Sequence, residues 1–151
     1  MSEIPPFAPP PNRMAVALLS LLGLLVSLYM LAYAMGLTGS VICGIGDCEA
    51  VQSSPYARIG PVPVAVLGVF GYLLLMLVSF LGLQPSSAGS RFVPVALLTG
   101  GVLGVAFSVY LTYLEAFVIH AWCQWCVTSA IIMVVAFLVV LPELRRMGDT
   151  K

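Results

Sequence analysis

Apolar residues fill this chain in long runs, and short polar segments separate them. A helix that crosses about 30 Å of hydrocarbon needs roughly 20 mainly apolar residues, and four stretches meet that length: 14–37, 63–83, 92–119 and 122–141. The first two carry no charge, the second opens on a proline, where a missing N–H costs least, and the third carries a single acid, Glu115. This pattern predicts an all-α membrane protein, a four-transmembrane-helix bundle forming one domain over 14–141, with a long outer loop at 38–62 that has room for a short helix. A Pro-rich tail (1–13) precedes the bundle and a polar tail (142–151) follows it. Ala32-Tyr33-Ala34 has the small-x-small form of a signal-peptidase site, but the apolar run before it is longer than a usual signal core and continues to Leu37, which favours an uncleaved anchor.

Composition agrees with the pattern. Hydrophobic residues make up 61% of the chain and charged ones 8%, with a mean hydropathy of +1.10. A soluble domain carries about 25% charged residues, so a water-borne globule is excluded. The formal net charge of zero supplies no basic field for a phosphate backbone, and no nucleic-acid partner is expected.

Basic residues near the span ends set the orientation. With four spans, the N-terminus, the 84–91 turn and the C-terminus share one side, which holds Arg13, Arg91, Arg145, Arg146 and Lys151; the opposite side holds only Arg58, expected among lipid headgroups. Both termini are therefore expected in the cytoplasm, as in a bacterial inner membrane with the active face outward.

The cysteines now carry the chemistry. Cys43 and Cys48 fall in the outer loop, and Cys123 and Cys126 at the outer end of the fourth span, all on the side where disulfides persist. Cys123-Gln124-Trp125-Cys126 places two sulfurs at i and i+3, on one helix face. The positive end of the helix macrodipole lies there, which favours a thiolate. At about 1.5 Å per residue, Cys126 lies about 4.5 Å deeper than Cys123. Trp122 and Trp125 flank the pair, at the depth where indoles anchor a helix or line the pocket of a flat aromatic substrate. The loop pair Cys43-Gly44-Ile45-Gly46-Asp47-Cys48 contains two glycines and reads as pliable. Asp47 and Glu49 put negative charge beside Cys48, so electrons are expected to pass from a mobile pair to a fixed one.

Taken together, these residues resemble the vitamin K epoxide reductase family, and its bacterial members most. The resemblance rests on the four spans, the loop pair, the run 48–56 (Cys-Glu-Ala-Val-Gln-Ser-Ser-Pro-Tyr), Gly68 and Tyr72 in the second span, and the C-x-x-C that opens the fourth. It implies a quinone-reducing thiol–disulfide oxidoreductase that supports disulfide-bond formation, with a quinone of the ubiquinone, menaquinone or vitamin K type as acceptor and no metal. On that resemblance Cys126 stands beside the quinone, Cys123 is its partner and exchanges with Cys48, and Cys43 meets an external thioredoxin-fold, DsbA-like protein. Ser54 corresponds to a functional serine of the family, with Ser53 as its competitor and helix capping as the plain alternative for either. Tyr56 corresponds to an aromatic position of the loop that covers the site. Val64 replaces the quinone-holding asparagine of vertebrate members, and Ala130 their tyrosine after the C-x-x-C. Bacterial members are often fused to a thioredoxin-like domain; since this chain ends at Lys151, a separate donor protein is expected.

Other polar groups read more modestly. His120 suits an interfacial residue better than a proton donor, and Glu115 is expected to snorkel outward. Gly100, Gly101 and Gly104 suit close helix packing. The competing reading is a zinc- or copper-binding membrane protein that gathers His120, Cys123, Cys126 and a loop cysteine.

Overall fold

The structure is a computed structural model and describes residues 9–87 and 89–149. Most of the Pro-rich tail (1–13) lies outside the described residues. Four helices are long and apolar enough to span a membrane: α1 (Pro11–Ala34), α3 (Val64–Leu83), α4 (Phe92–Tyr113, prolonged by a π-helical turn Leu114–Ile119) and α5 (Gln124–Val140). A six-residue helix, α2 (Cys48–Ser53), lies between α1 and α3, and a terminal helix, α6 (Pro142–Gly148), follows α5. β1 (Arg58–Ile59) and β2 (Val62–Pro63) form a small antiparallel hairpin that leads into α3, with Arg58 opposite Pro63 and Ile59 opposite Val62. The chain is an integral membrane protein.

Inside a bilayer lipid tails are as apolar as leucine, so helices are drawn together by close contact and hydrogen bonds more than by the hydrophobic effect. Small residues supply the contact. A Cβ on Gly23 of α1 would run into the Tyr72 ring of α3, and one on Gly68 would reach Ser27 Oγ at 2.7 Å. The glycines of α4 act in the same way: Gly100 receives Leu75, Gly101 receives Phe137 and Gly104 receives Met133. Val16, Tyr72, Leu75, Val93, Leu97, Met133 and Val140 form the buried core between the spans.

At the end of the bundle that holds both termini, the flanking segments are partly helical. The first helix starts at Pro11, and residues 142–148 turn inward as α6. Glu143 of α6 is 1% exposed and Arg13 of α1 is 4% exposed. The Arg13 guanidinium makes two bonds to the Glu143 carboxylate, Nε to Oε1 at 3.1 Å and Nη2 to Oε2 at 3.0 Å, and gives Nη1 to the Gly82 carbonyl at 2.8 Å. Asn12 donates to Glu143 at 2.6 Å. One buried pair therefore joins the start of α1, the end of α3 and α6, and satisfies a carbonyl that the last turn of α3 leaves free. A pattern of polar residues reads as a solvated tail because pairing across 130 positions leaves no local signal.

Arg58, exposed on β1, donates Nη2 to the Ala34 carbonyl at 2.8 Å and closes the C-terminal end of α1.

Replacing Glu143 with Ala strands a buried guanidinium, and loss of one partner of such a pair costs about 3–5 kcal/mol. Glu143→Ala is expected to lower the unfolding free energy in detergent by that amount, measured by denaturant titration; a loss below 1 kcal/mol would show the pair to be dispensable.

Candidate redox centre

All four cysteines gather at the end of the bundle opposite the Arg13–Glu143 pair. Cys43 and Cys48 form a disulfide, with their Cα atoms 5.9 Å apart. Cys123 and Cys126 are free. Cys48 and Cys123 are fully buried in one cluster with Met30 and Val51, and Cys43 and Cys126 pack half-buried against it. The four cysteines thus share one cluster, with Cys48 and Cys123 buried in it and Cys43 and Cys126 at its partly exposed margin.

The α5 end holds the loop through a continuous set of hydrogen bonds. Gly46 and Cys123 form an isolated antiparallel bridge, in which the Asp47 N–H donates to the Trp122 carbonyl at 2.8 Å. The two residues between the α5 cysteines complete the hold. Gln124 Oε1 accepts both the Gly44 and the Ile45 N–H, each at 3.0 Å, and the Trp125 indole N–H donates to the Ile42 carbonyl at 2.8 Å. The Ile42 N–H in turn donates to the Tyr29 hydroxyl at 2.9 Å, and the Tyr29 ring lies 5.0 Å from the Trp125 ring. Gly46 sits at φ 90°, and a Cβ there would collide with the Trp122 carbonyl, so only glycine permits this approach. These bonds hold the loop pair against the mouth of α5, and its glycines serve close contact.

Asp47 caps α2 by accepting the Ala50 N–H at 2.9 Å, so Cys48 is the first residue of that helix. Cys123 is the N-cap of α5 and lies just outside the spanning helix, which begins at Gln124. Its thiol is held below the ordinary range mainly by the hydrogen bond from the Cys126 thiol, helped by the Cys126 and Trp125 amides; burial and the Glu115 charge oppose this. The positive helix end expected to favour a thiolate therefore acts on Cys123.

Beneath the cysteines lies a mainly apolar cavity of about 160 Å³. An apolar cavity of about 150 Å³ is known to hold a benzene ring, so there is room for one flat six-membered ring. Cys126 lines it and Cys123 does not. Val64, Tyr56, Ser54, Trp125 and Ala130 line it as well, and Val64 and Ala130 give it apolar walls. Ser54 faces the cavity and donates its hydroxyl to the Val51 carbonyl at 2.7 Å. Ser53 is exposed, off the cavity, and bonds the Ala50 carbonyl at 3.3 Å. Trp122 does not line the cavity; its half-exposed ring stays outside because its backbone carbonyl is turned to the loop.

Two residues at the centre carry no clear signal in the sequence. Gln52 of α2 donates Nε2 to Cys126 Sγ at 3.7 Å and lines the cavity. Glu115 does not snorkel: it is 3% exposed, and its Oε2 accepts the Cys123 N–H at 3.0 Å. Glu115 lies at the start of the π-helical turn, which closes at His120, whose φ of 56° is left-handed. The His120 and Ala121 N–H groups fold back to the Glu115 carbonyl. His120 is exposed and does not line the cavity. Among the described residues no group of three His, Cys, Asp or Glu side chains could hold a metal ion, so the metal-binding reading has no geometric support.

The family model described as Vitamin K epoxide reductase family matches residues 14–141. The chain belongs to that family. Membership makes this chain a membrane thiol–disulfide oxidoreductase, and the bonded loop pair beside two free helix thiols accords with it. Family proteins are linked to quinones and to thiol redox partners.

Gln124→Ala removes both side-chain bonds to the loop in this family member, each worth about 1 kcal/mol. The Gly44 and Ile45 amides are then expected to exchange with solvent deuterium roughly fivefold faster or more, with helix content unchanged. Unaltered protection would mean that the side chain does not hold the loop.

Proposed function

We propose that the protein carries electrons from an external thioredoxin-fold thiol protein, through Cys43/Cys48 and then Cys123/Cys126, to a quinone in the cavity, and so supports disulfide-bond formation outside the cytoplasm. The observation that carries this reading is the grouping of the sulfurs: the half-exposed Cys43 and the cavity-lining Cys126 both pack against the one cluster that buries Cys48 and Cys123. The excess of Arg and Lys at the end that carries the termini supports an inward orientation for that end.

A reduced donor attacks Cys43, which breaks the Cys43–Cys48 bond and leaves Cys48 as a thiolate; the donor's second thiol then attacks the mixed disulfide, so that the donor departs oxidised and Cys43 is freed as a thiolate. Cys48 attacks Cys123 of an oxidised Cys123–Cys126 pair, and the outgoing Cys126 keeps the electrons. Cys43 then closes on Cys48 and releases Cys123, restoring the loop disulfide above a reduced helix pair, which is the pairing observed. Exchange is fastest when the attacked sulfur leaves as a stable thiolate, and the held-down Cys123 thiol suits that leaving step.

The residues present fit a quinone ring. The cavity is apolar and takes one ring, and a thiol, the Gln52 amide and the Ser54 hydroxyl border it. When bound, the quinone accepts two electrons and two protons and becomes a hydroquinone. Tyr56 and Ala57 cover the cavity from the loop side, Val64 and Trp125 wall it, and Cys126 supplies the reacting sulfur. Trp122 contributes through its backbone to holding the loop.

The test is anaerobic mixing of purified protein with a reduced thioredoxin-fold donor and ubiquinone or menaquinone, followed by hydroquinone absorbance. Cys126→Ser is expected to reduce turnover to background with any donor. Cys43→Ser is expected to abolish turnover driven by the protein donor while leaving most of that driven by a small dithiol that can reach Cys48. Normal hydroquinone formation by Cys126→Ser, or no turnover by the unaltered protein with either quinone, would overturn the reading.

A further inference from the structure

Glu115 is a buried carboxyl in a membrane span, and nothing in the electron path requires it. Among the described residues, the ion pairs are those of Glu143 with Arg13 and Arg146, so no cation compensates Glu115. A buried carboxyl without a cation is costly and marks a functional position in a membrane protein. If its task were only to accept the Cys123 N–H, a neutral amide oxygen would do as well.

Its surroundings point to more. Its side chain lines the cavity that Cys126 also lines. With the bond it accepts from the Cys123 N–H, it stands between the helix pair and the space for the ring. Other groups near the thiols are less suited to pass a proton. The Tyr72 hydroxyl is committed to Ser129, at 2.6 Å from its carbonyl and 3.0 Å from its hydroxyl. Gln52 has no exchangeable acid, and His120 is exposed and off the cavity.

Resting on the quinone-reducing reading above, we propose that Glu115 is the proton carrier of the centre: its carboxylate takes the proton of the Cys126 thiol and delivers it to a quinone oxygen. In the net reaction the S–H bonds of Cys123 and Cys126 break and an S–S bond forms between them. The two electrons and two protons released go to the quinone, whose two carbonyl oxygens become hydroxyls. Glu115 carries the Cys126 proton and ends as it began.

Two measurements on Glu115→Gln separate this role from that of a mere acceptor. The first is hydroquinone formation in single turnover from the prereduced protein, and the second is reduction of the Cys123–Cys126 disulfide by dithiothreitol without quinone, followed by counting alkylated thiols. The glutamine keeps an acceptor for the Cys123 N–H but cannot carry a proton. General acid–base groups contribute about 10²- to 10⁴-fold, so hydroquinone formation is expected to fall at least about 100-fold, while disulfide reduction stays within about twofold of wild type. Glu115→Asp, which keeps a carboxyl, is expected to lose less of the hydroquinone step. Equal losses in both steps would show that Glu115 only positions Cys123, and no loss in either would show that the carboxyl is idle; both results overturn the proposal. If Glu115→Gln does not fold, Glu115→Asp decides between the same outcomes, a selective loss supporting the role and a uniform loss refuting it. Failure of the unaltered protein to turn over quinone would instead sink the quinone reading itself.

Discussion

The backbone bond from the Asp47 N–H to the Trp122 carbonyl fixes the redox loop to the mouth of α5. Everything chemical depends on that contact, because disulfide exchange requires sulfurs to meet within bonding distance. The α5 end adds the Gln124 and Trp125 side chains to the same task. The two residues inside the C-x-x-C therefore serve as the clamp for the other couple as well as the spacer of their own.

The rest of the bundle can be understood as support for this junction. Close glycine contacts draw α1 onto α3 and α4 onto α5, and the buried Arg13–Glu143 pair ties the far end. A bundle fixed at its far end and at its core can leave a ring-sized cavity near the thiols without collapsing into it. Helix α2 then closes the site from above, bringing Cys48, Val51 and Gln52 to the centre in a single turn and a half.

The spans were legible because a membrane demands long uncharged runs, and the cysteine spacing was legible because a helix repeats every 3.6 residues. Family motifs brought Ser54, Tyr56 and Val64 to the cavity wall. What escaped was set by contacts distant in sequence or by irregular backbone. A polar segment gives no sign that Glu143 will meet Arg13, and a paired glycine run gives no sign that Trp122 will approach it. The bond from the Cys123 N–H to Glu115 forms across the turn between two spans, and no periodicity announces it. Gln52 was hidden because the helix that carries it is only six residues long, too short to show an amphipathic pattern.

The most direct test of the account is chemical trapping of the junction. In a Cys43→Ser/Cys126→Ser protein, only Cys48 and Cys123 remain, and mild oxidation is expected to join them within one chain, detected as a single linked peptide pair by mass spectrometry. If these two cysteines instead stayed reduced or formed only links between chains, the loop and the helix pair would not be in exchange, and the electron path described above would be wrong.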